Sequence, residues 1–140
     1  MVLIIQKKSK VMAKKKDFGE RNRELCYELL SGKKYYDWVV TTAFYSCIHF
    51  VEDFILPIEI SGRMCNDISD VKSAYHMDGR HAARERLVFD KINYAVGAKY
   101  KWLDDQSRNA RYKTYKLQPA EALKAQEYLD FIYNHCYPSK

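Results

Sequence analysis

The sequence predicts an all-α fold, an antiparallel four- to five-helix up-and-down bundle, on three observations. The stretch from Tyr35 to Leu56 carries a 3.6-residue apolar period wide enough for a central helix. Four further stretches repeat that period between cap and stop residues. No segment shows the alternation of a β-strand, and neither repeats nor low-complexity tracts interrupt the pattern.

In the central stretch, Val39, Val40, Ala43, Phe44, Cys47, Phe50, Val51 and Phe54 fall on one half of the helical circumference at about 100° per residue. A surface helix needs a narrower stripe. The other half holds Thr41, Thr42, Ser46, His49, Glu52 and Asp53, together with Trp38 and Tyr45. Trp38, Thr42, Tyr45 and His49 line up as a second, mixed aromatic and polar seam. Aromatic residues on a face otherwise facing solvent suggest an interface, here between two copies of the chain, unless the last helix covers the seam.

The elements follow in chain order. Asp17 with Glu20 three residues later fits an N-cap and a carboxylate in the first turn, which predicts a helix from Phe18 to about Ser31, with Gly32 as its stop. Pro57 ends the central helix. Residues 58 to 79 form a long connection, a lid or a mobile insertion, in which Ile68 to Tyr75 has the makings of a short helix. Asp78 is placed to cap a third helix reaching Val96, with Gly97 as its stop, and a fourth runs from about Ala98 to Arg111. After a connection at Thr114 to Gln118, Pro119 opens the last helix with Glu121 in its first turn, and Pro138 closes it. The expected core includes Val40, Phe44, Cys47, Val51, Leu129 and Ile132.

Charge is unevenly placed. The net formal charge is +6, and Lys7, Lys8, Lys10, Lys14, Lys15 and Lys16 account for all of it, so the remaining chain is neutral. Residues 1 to 16 therefore read as a basic, disordered leader, much of which initiation at Met12 would omit, and 17 to 140 as a single domain. The leader lacks the order of a secretory signal and no apolar run approaches a membrane span, which makes the cytoplasm the default location. Cys26, Cys47, Cys65 and Cys136 show no metal or redox spacing, and three of them lie on apolar stripes as buried thiols.

Chemistry concentrates where polar residues occupy packing faces. His81 and Arg84 interrupt the apolar stripe of the third helix, and Ser107 and Arg111 that of the fourth. Buried charge must be paired or must serve a ligand. One reading is an anion site in which Arg84, Arg111 and the first-turn amides beside His81 hold a phosphate-sized group, with Tyr112 or Tyr100 for stacking. The competing reading pairs the arginines with Glu52, Asp53 or Asp37 and bonds Ser107 to backbone. His49, Glu52 and Asp53 supply too few ligands for a metal, so no metal and no cofactor is expected. No Gly-rich phosphate loop, nucleophile elbow or dinucleotide fingerprint is present.

The order D-W-V-V-T-T-A-F-Y-S-C-I-H-F-V-E (Asp37 to Glu52), H-A-A-R (His81 to Arg84) and Y-K-W-L-D-D-Q-S-R-N-A-R-Y (Tyr100 to Tyr112) resembles uncharacterised bacterial members of the HEPN superfamily, the higher eukaryotes and prokaryotes nucleotide-binding proteins. The resemblance covers about Phe18 to Cys136. It implies an antiparallel helical bundle, frequent homodimers and association with RNA or nucleotides, often within toxin–antitoxin or phage-defence systems. Ribonuclease members carry R-x4-6-H, in which histidine transfers protons and arginine stabilises phosphorane charge. None of His49, His76, His81 or His135 has an arginine at that spacing; the pairs His81 with Arg84 and His76 with Arg80 run in reverse.

The sequence thus favours a non-catalytic HEPN-like module that binds a nucleotide, RNA or a protein partner through His81, Arg84, Ser107, Arg111 and Tyr112. A ribonuclease with a non-standard His/Arg site and a structural interaction protein without a small ligand are the alternatives.

Overall fold

A computed structural model describes residues 14–139. Its elements are α1 (Lys15–Gly32), α2 (Tyr36–Ile55), a hairpin of β1 (Ile58–Ile60) and β2 (Arg63–Cys65), α3 (Ile68–Ala74), α4 (Arg80–Lys91), α5 (Tyr94–Tyr112) and α6 (Pro119–Cys136). The fold is mostly helical, with α2 at its centre against α1, α5 and α6, while α4 packs on α3 and α5. No helix among the described residues is long and apolar enough to cross a membrane.

The breadth of the apolar stripe on α2 explains its position, because three neighbours cover it. Val40, Phe44, Cys47 and Val51 are fully buried, as are Leu129 and Ile132 of α6. Burial extends into the half read as polar, where each hydroxyl finds a backbone acceptor. Thr41 Oγ1 donates to the Asp37 carbonyl at 2.8 Å, Thr42 Oγ1 to that of Trp38 at 2.7 Å, and Ser46 Oγ to Gly19 of α1 at 2.6 Å. Bonded hydroxyls go inside at little cost.

The first helix begins earlier than its expected cap. Asp17 is its third residue, and its carboxylate accepts from the Lys14 backbone amide at 3.0 Å, so Lys14 is the N-cap. Lys14 thus caps α1, and Lys15 and Lys16 are its first two residues; residues 1–13 of the expected leader lie outside the described residues. At the other end of the chain the last helix starts at Pro119, with Glu121 Oε1 accepting from the Gln118 amide at 3.0 Å.

The boundary between the third and fourth predicted helices falls elsewhere. The chain breaks at Ile92–Asn93, and Asn93 Oδ1 caps α5 by accepting from the Val96 amide at 2.8 Å. Gly97 is no stop. It lies inside α5, and a Cβ there would sit 2.4 Å from the Phe89 ring, so this glycine lets α4 and α5 approach closely.

The long connection is structured. Ser61 and Gly62 both have positive φ, which suits the tight turn of the β1–β2 hairpin. Strands of three residues are too short for an alternating pattern to reveal them, and among the described residues they are the one departure from an all-α fold. Asp67 then caps α3 by accepting from the Asp70 amide at 2.9 Å. Tyr75, under the Arg86 guanidinium, donates its hydroxyl to Asp90 at 2.6 Å and fastens this segment to α4.

Candidate functional site

The polar residues of α4 and α5 meet α2 in a chain of contacts. Arg84 Nε donates to Glu52 Oε2 at 2.7 Å, and Glu52 Oε1 accepts from Lys15 Nζ at 3.0 Å. Arg84 and Glu52 are both buried. Beside them the fully buried Tyr100 hydroxyl has no hydrogen-bond partner among the described residues. Burial drives its pKa upward, against the opposing charge of Arg84.

Along α5 a second network holds the remaining groups. Buried Asp104 accepts from Arg108 Nε at 3.1 Å. Ser107 Oγ donates to the Asp104 carbonyl at 3.2 Å and accepts from Arg111 Nη1 at 2.9 Å. The Arg111 guanidinium lies 5.5 Å from the Tyr45 ring centre and 5.3 Å from that of Tyr112, while its Nε is buried without a hydrogen-bond partner among the described residues. His81 stands exposed at the start of α4. Partial desolvation lowers its pKa, aided by the positive charges of Arg84, Arg108 and Arg111 and opposed by Asp104.

The five predicted ligand residues therefore divide. Arg84 is paired with Glu52, and Ser107 bonds the Asp104 carbonyl and Arg111 within α5. Arg111 and Tyr112 instead line an open cleft of about 550 Å³ between the start of α2 and the end of α5. Asp37, Trp38, Lys113 and Tyr115 join them. Trp38, Tyr112 and Tyr115 are 53%, 79% and 69% exposed, so three aromatic faces stand open beside two cations. His81 is not among the lining residues.

Asp37, Lys113 and Tyr115 escaped the sequence reading as site residues. The signal was present in Arg111 to Lys116, R-Y-K-T-Y-K, where basic and aromatic residues interleave, and in the absence of any acid from 106 to 120. Its position in a connection, away from any apolar stripe, hid it.

The predicted interface seam is not one exposed surface. Trp38 and Tyr45 are exposed, but Thr42 is buried with its hydroxyl bonded to the Trp38 carbonyl. His49 is half-buried, its ring stacked on Phe18 of α1 at 5.5 Å. Both residues meet α1, Phe18 on His49 and Cys26 beside Thr42, whose Sγ and Oγ1 share the Val39 carbonyl; the last helix was the alternative cover that the sequence offered to an interface between copies. Burial lowers the His49 pKa; Glu52 opposes this shift, and Lys15 and Arg84 add to it. No group of three or more His, Cys, Asp or Glu side chains among the described residues is arranged to hold a metal ion.

Compared with models of known families, with curated proteins and with solved structures, the chain finds no match in any of the three.

Proposed function

We propose that the chain is a non-catalytic, HEPN-like binding module for a nucleotide or single-stranded RNA, which it holds in the cleft between α2 and the end of α5. One observation carries the reading: Trp38, Tyr112 and Tyr115 expose their rings in the same cleft as Arg111 and Lys113. Bases stack on open aromatic faces, and neighbouring cations neutralise phosphate. Arg84, one of the two arginines that the sequence offered to an anion, is a structural partner of Glu52 in this reading.

Titration with a short single-stranded RNA tests it. Arg111→Gln and Tyr112→Ala are expected to weaken binding by about 1–3 kcal/mol each, the scale of one stacking contact or one charge-assisted contact. Only Arg111→Gln flattens the salt dependence. Full affinity in both variants overturns the reading. No cleavage of the RNA is expected; cleavage lost in a folded His81→Ala protein would replace this reading with the ribonuclease.

A second reading, a homodimer, is favoured by the α1–α2 face. Phe18 and Leu25 lie two turns apart on α1, Phe18 stacks on His49, and Tyr45 lies one turn before His49 on α2. Phe18, Leu25 and Tyr45 are all exposed, and large apolar side chains left open on two paired helices suit an interface. Sedimentation at micromolar concentration is expected to show a dimer that Tyr45→Glu weakens; a monomer throughout would retire it.

A further inference from the structure

We propose that the cleft selects guanine, with Asp37 as the residue that sets the choice. The inference rests on the binding function proposed above and adds the identity of the base.

Asp37 is the second residue of α2 and lines the cleft. Its backbone carbonyl accepts from Thr41, yet among the described residues its carboxylate makes no hydrogen bond or ion pair. The other carboxylates of α2 and α5 are engaged: Glu52 with Arg84 and Lys15, Asp104 with Arg108, Asp105 with Lys101, and Asp53 with the Tyr137 hydroxyl at 2.6 Å. Arg111 and Lys113 share the cleft but form no ion pair with Asp37. In a cleft suited to phosphate, a free carboxylate repels the anion, so its presence favours a ligand that also brings hydrogen-bond donors.

Guanine brings two in parallel. Its N1–H and N2–H point the same way from the Watson–Crick edge and match the two oxygens of a carboxylate, a bidentate and charge-assisted pairing. Adenine and cytosine each offer one amino group beside a ring nitrogen whose lone pair would face the second oxygen. Uracil offers one N–H between two carbonyls. Trp38, Tyr112 and Tyr115 supply stacking faces that serve any base, leaving the choice among bases to Asp37. A quaternary ammonium ligand, which aromatic rings and a carboxylate also suit, would meet the charges of Arg111 and Lys113.

Competition among the 5′-monophosphates of guanosine, inosine, adenosine, cytidine and uridine on the full chain is the test. Guanosine monophosphate is expected to bind roughly tenfold more tightly than the adenosine form, the scale of one bidentate base contact. Inosine monophosphate, which lacks the N2 amine, falls between them. Asp37→Asn, which replaces one acceptor oxygen by a donor and removes the negative charge, is expected to weaken guanosine monophosphate and to strengthen adenosine monophosphate, which no longer meets a repelling carboxylate, so that the preference is lost in a protein that still melts cooperatively. Equal affinity for all five overturns the guanine assignment and leaves the binding function standing, as it would if Asp37 took a ribose diol instead. Binding of none overturns both.

Discussion

Arg84 Nε lies 2.7 Å from Glu52 Oε2, and both side chains are only 9% exposed, so the pair joins α4 to the central helix inside the fold. Desolvation makes such a pair a weak source of net stability, but loss of one partner is severe because the other charge stays indoors unpaired. Lys15 moderates this, since it reaches the second Glu52 oxygen from α1.

Arg84→Gln is accordingly expected to destabilise the protein by roughly 3 kcal/mol, the low end for a broken buried pair. Arg84→Met with Glu52→Leu, which removes both charges, is expected to be less harmful than the single change. Urea unfolding of the three proteins decides it. A wild-type midpoint in Arg84→Gln would show that the arginine is free to serve a ligand.

Gly97→Ala places a methyl group where the Phe89 ring sits, and one of the two helices must shift. The expected loss is about 1–3 kcal/mol, typical of overpacking. Because the clash is with a ring, Phe89→Leu in the same chain is expected to recover part of it. Additive losses in the double variant would assign the effect to something other than this contact.

The start of α1 gives a comparison between two truncations. A chain beginning at Lys14 keeps the nitrogen that donates to the Asp17 carboxylate, now as an α-ammonium, and the Lys15–Glu52 contact; a chain beginning at Asp17 loses both. The shorter chain is expected to be less stable by about 1 kcal/mol, the usual worth of a cap, since the half-exposed lysine adds little. Thermal melts of the two would show equal midpoints if the three lysines were mere leader.

These cases show where the sequence was legible. The stripe from Val39 to Val51 predicted a central helix because burial on several sides leaves a broad apolar arc, and Pro119 with Glu121 marked the last helix by local chemistry alone. Gly97 misled because a glycine that ends a helix and one that admits a neighbouring ring look identical until Phe89 is placed. Glu52 was one of three carboxylates that sequence reasoning offered to the arginines, and only the packing of α4 on the bundle selects it. Asp37, offered to the same arginines, pairs with neither. The cleft has Trp38 and Tyr115, 77 residues apart in the chain, in one lining, a placement that no periodicity encodes.

The histidines predict how stability changes with acid. His49 and His81 both have pKa values lowered from 6.5 in the folded chain, with burial as the first cause. The unfolded chain therefore binds more protons than the folded one just below pH 6.5, and in that window stability falls as pH falls. Their contribution is fully present above pH 6.5 and is lost as pH drops toward the folded values. Asp90 behaves separately: the hydrogen bond from Tyr75 lowers its pKa from 3.8, so its contribution survives until the solution is more acidic still. Unfolding free energies at pH 7.5, 6.5, 5.5 and 5.0 are expected to decline below 6.5. His49→Gln is expected to flatten that decline, because glutamine in the same half-buried place carries no proton equilibrium and retains much of the contact with Phe18. His81→Gln flattens it further in combination. An unchanged slope in the double variant would assign the acid sensitivity to groups other than these two rings.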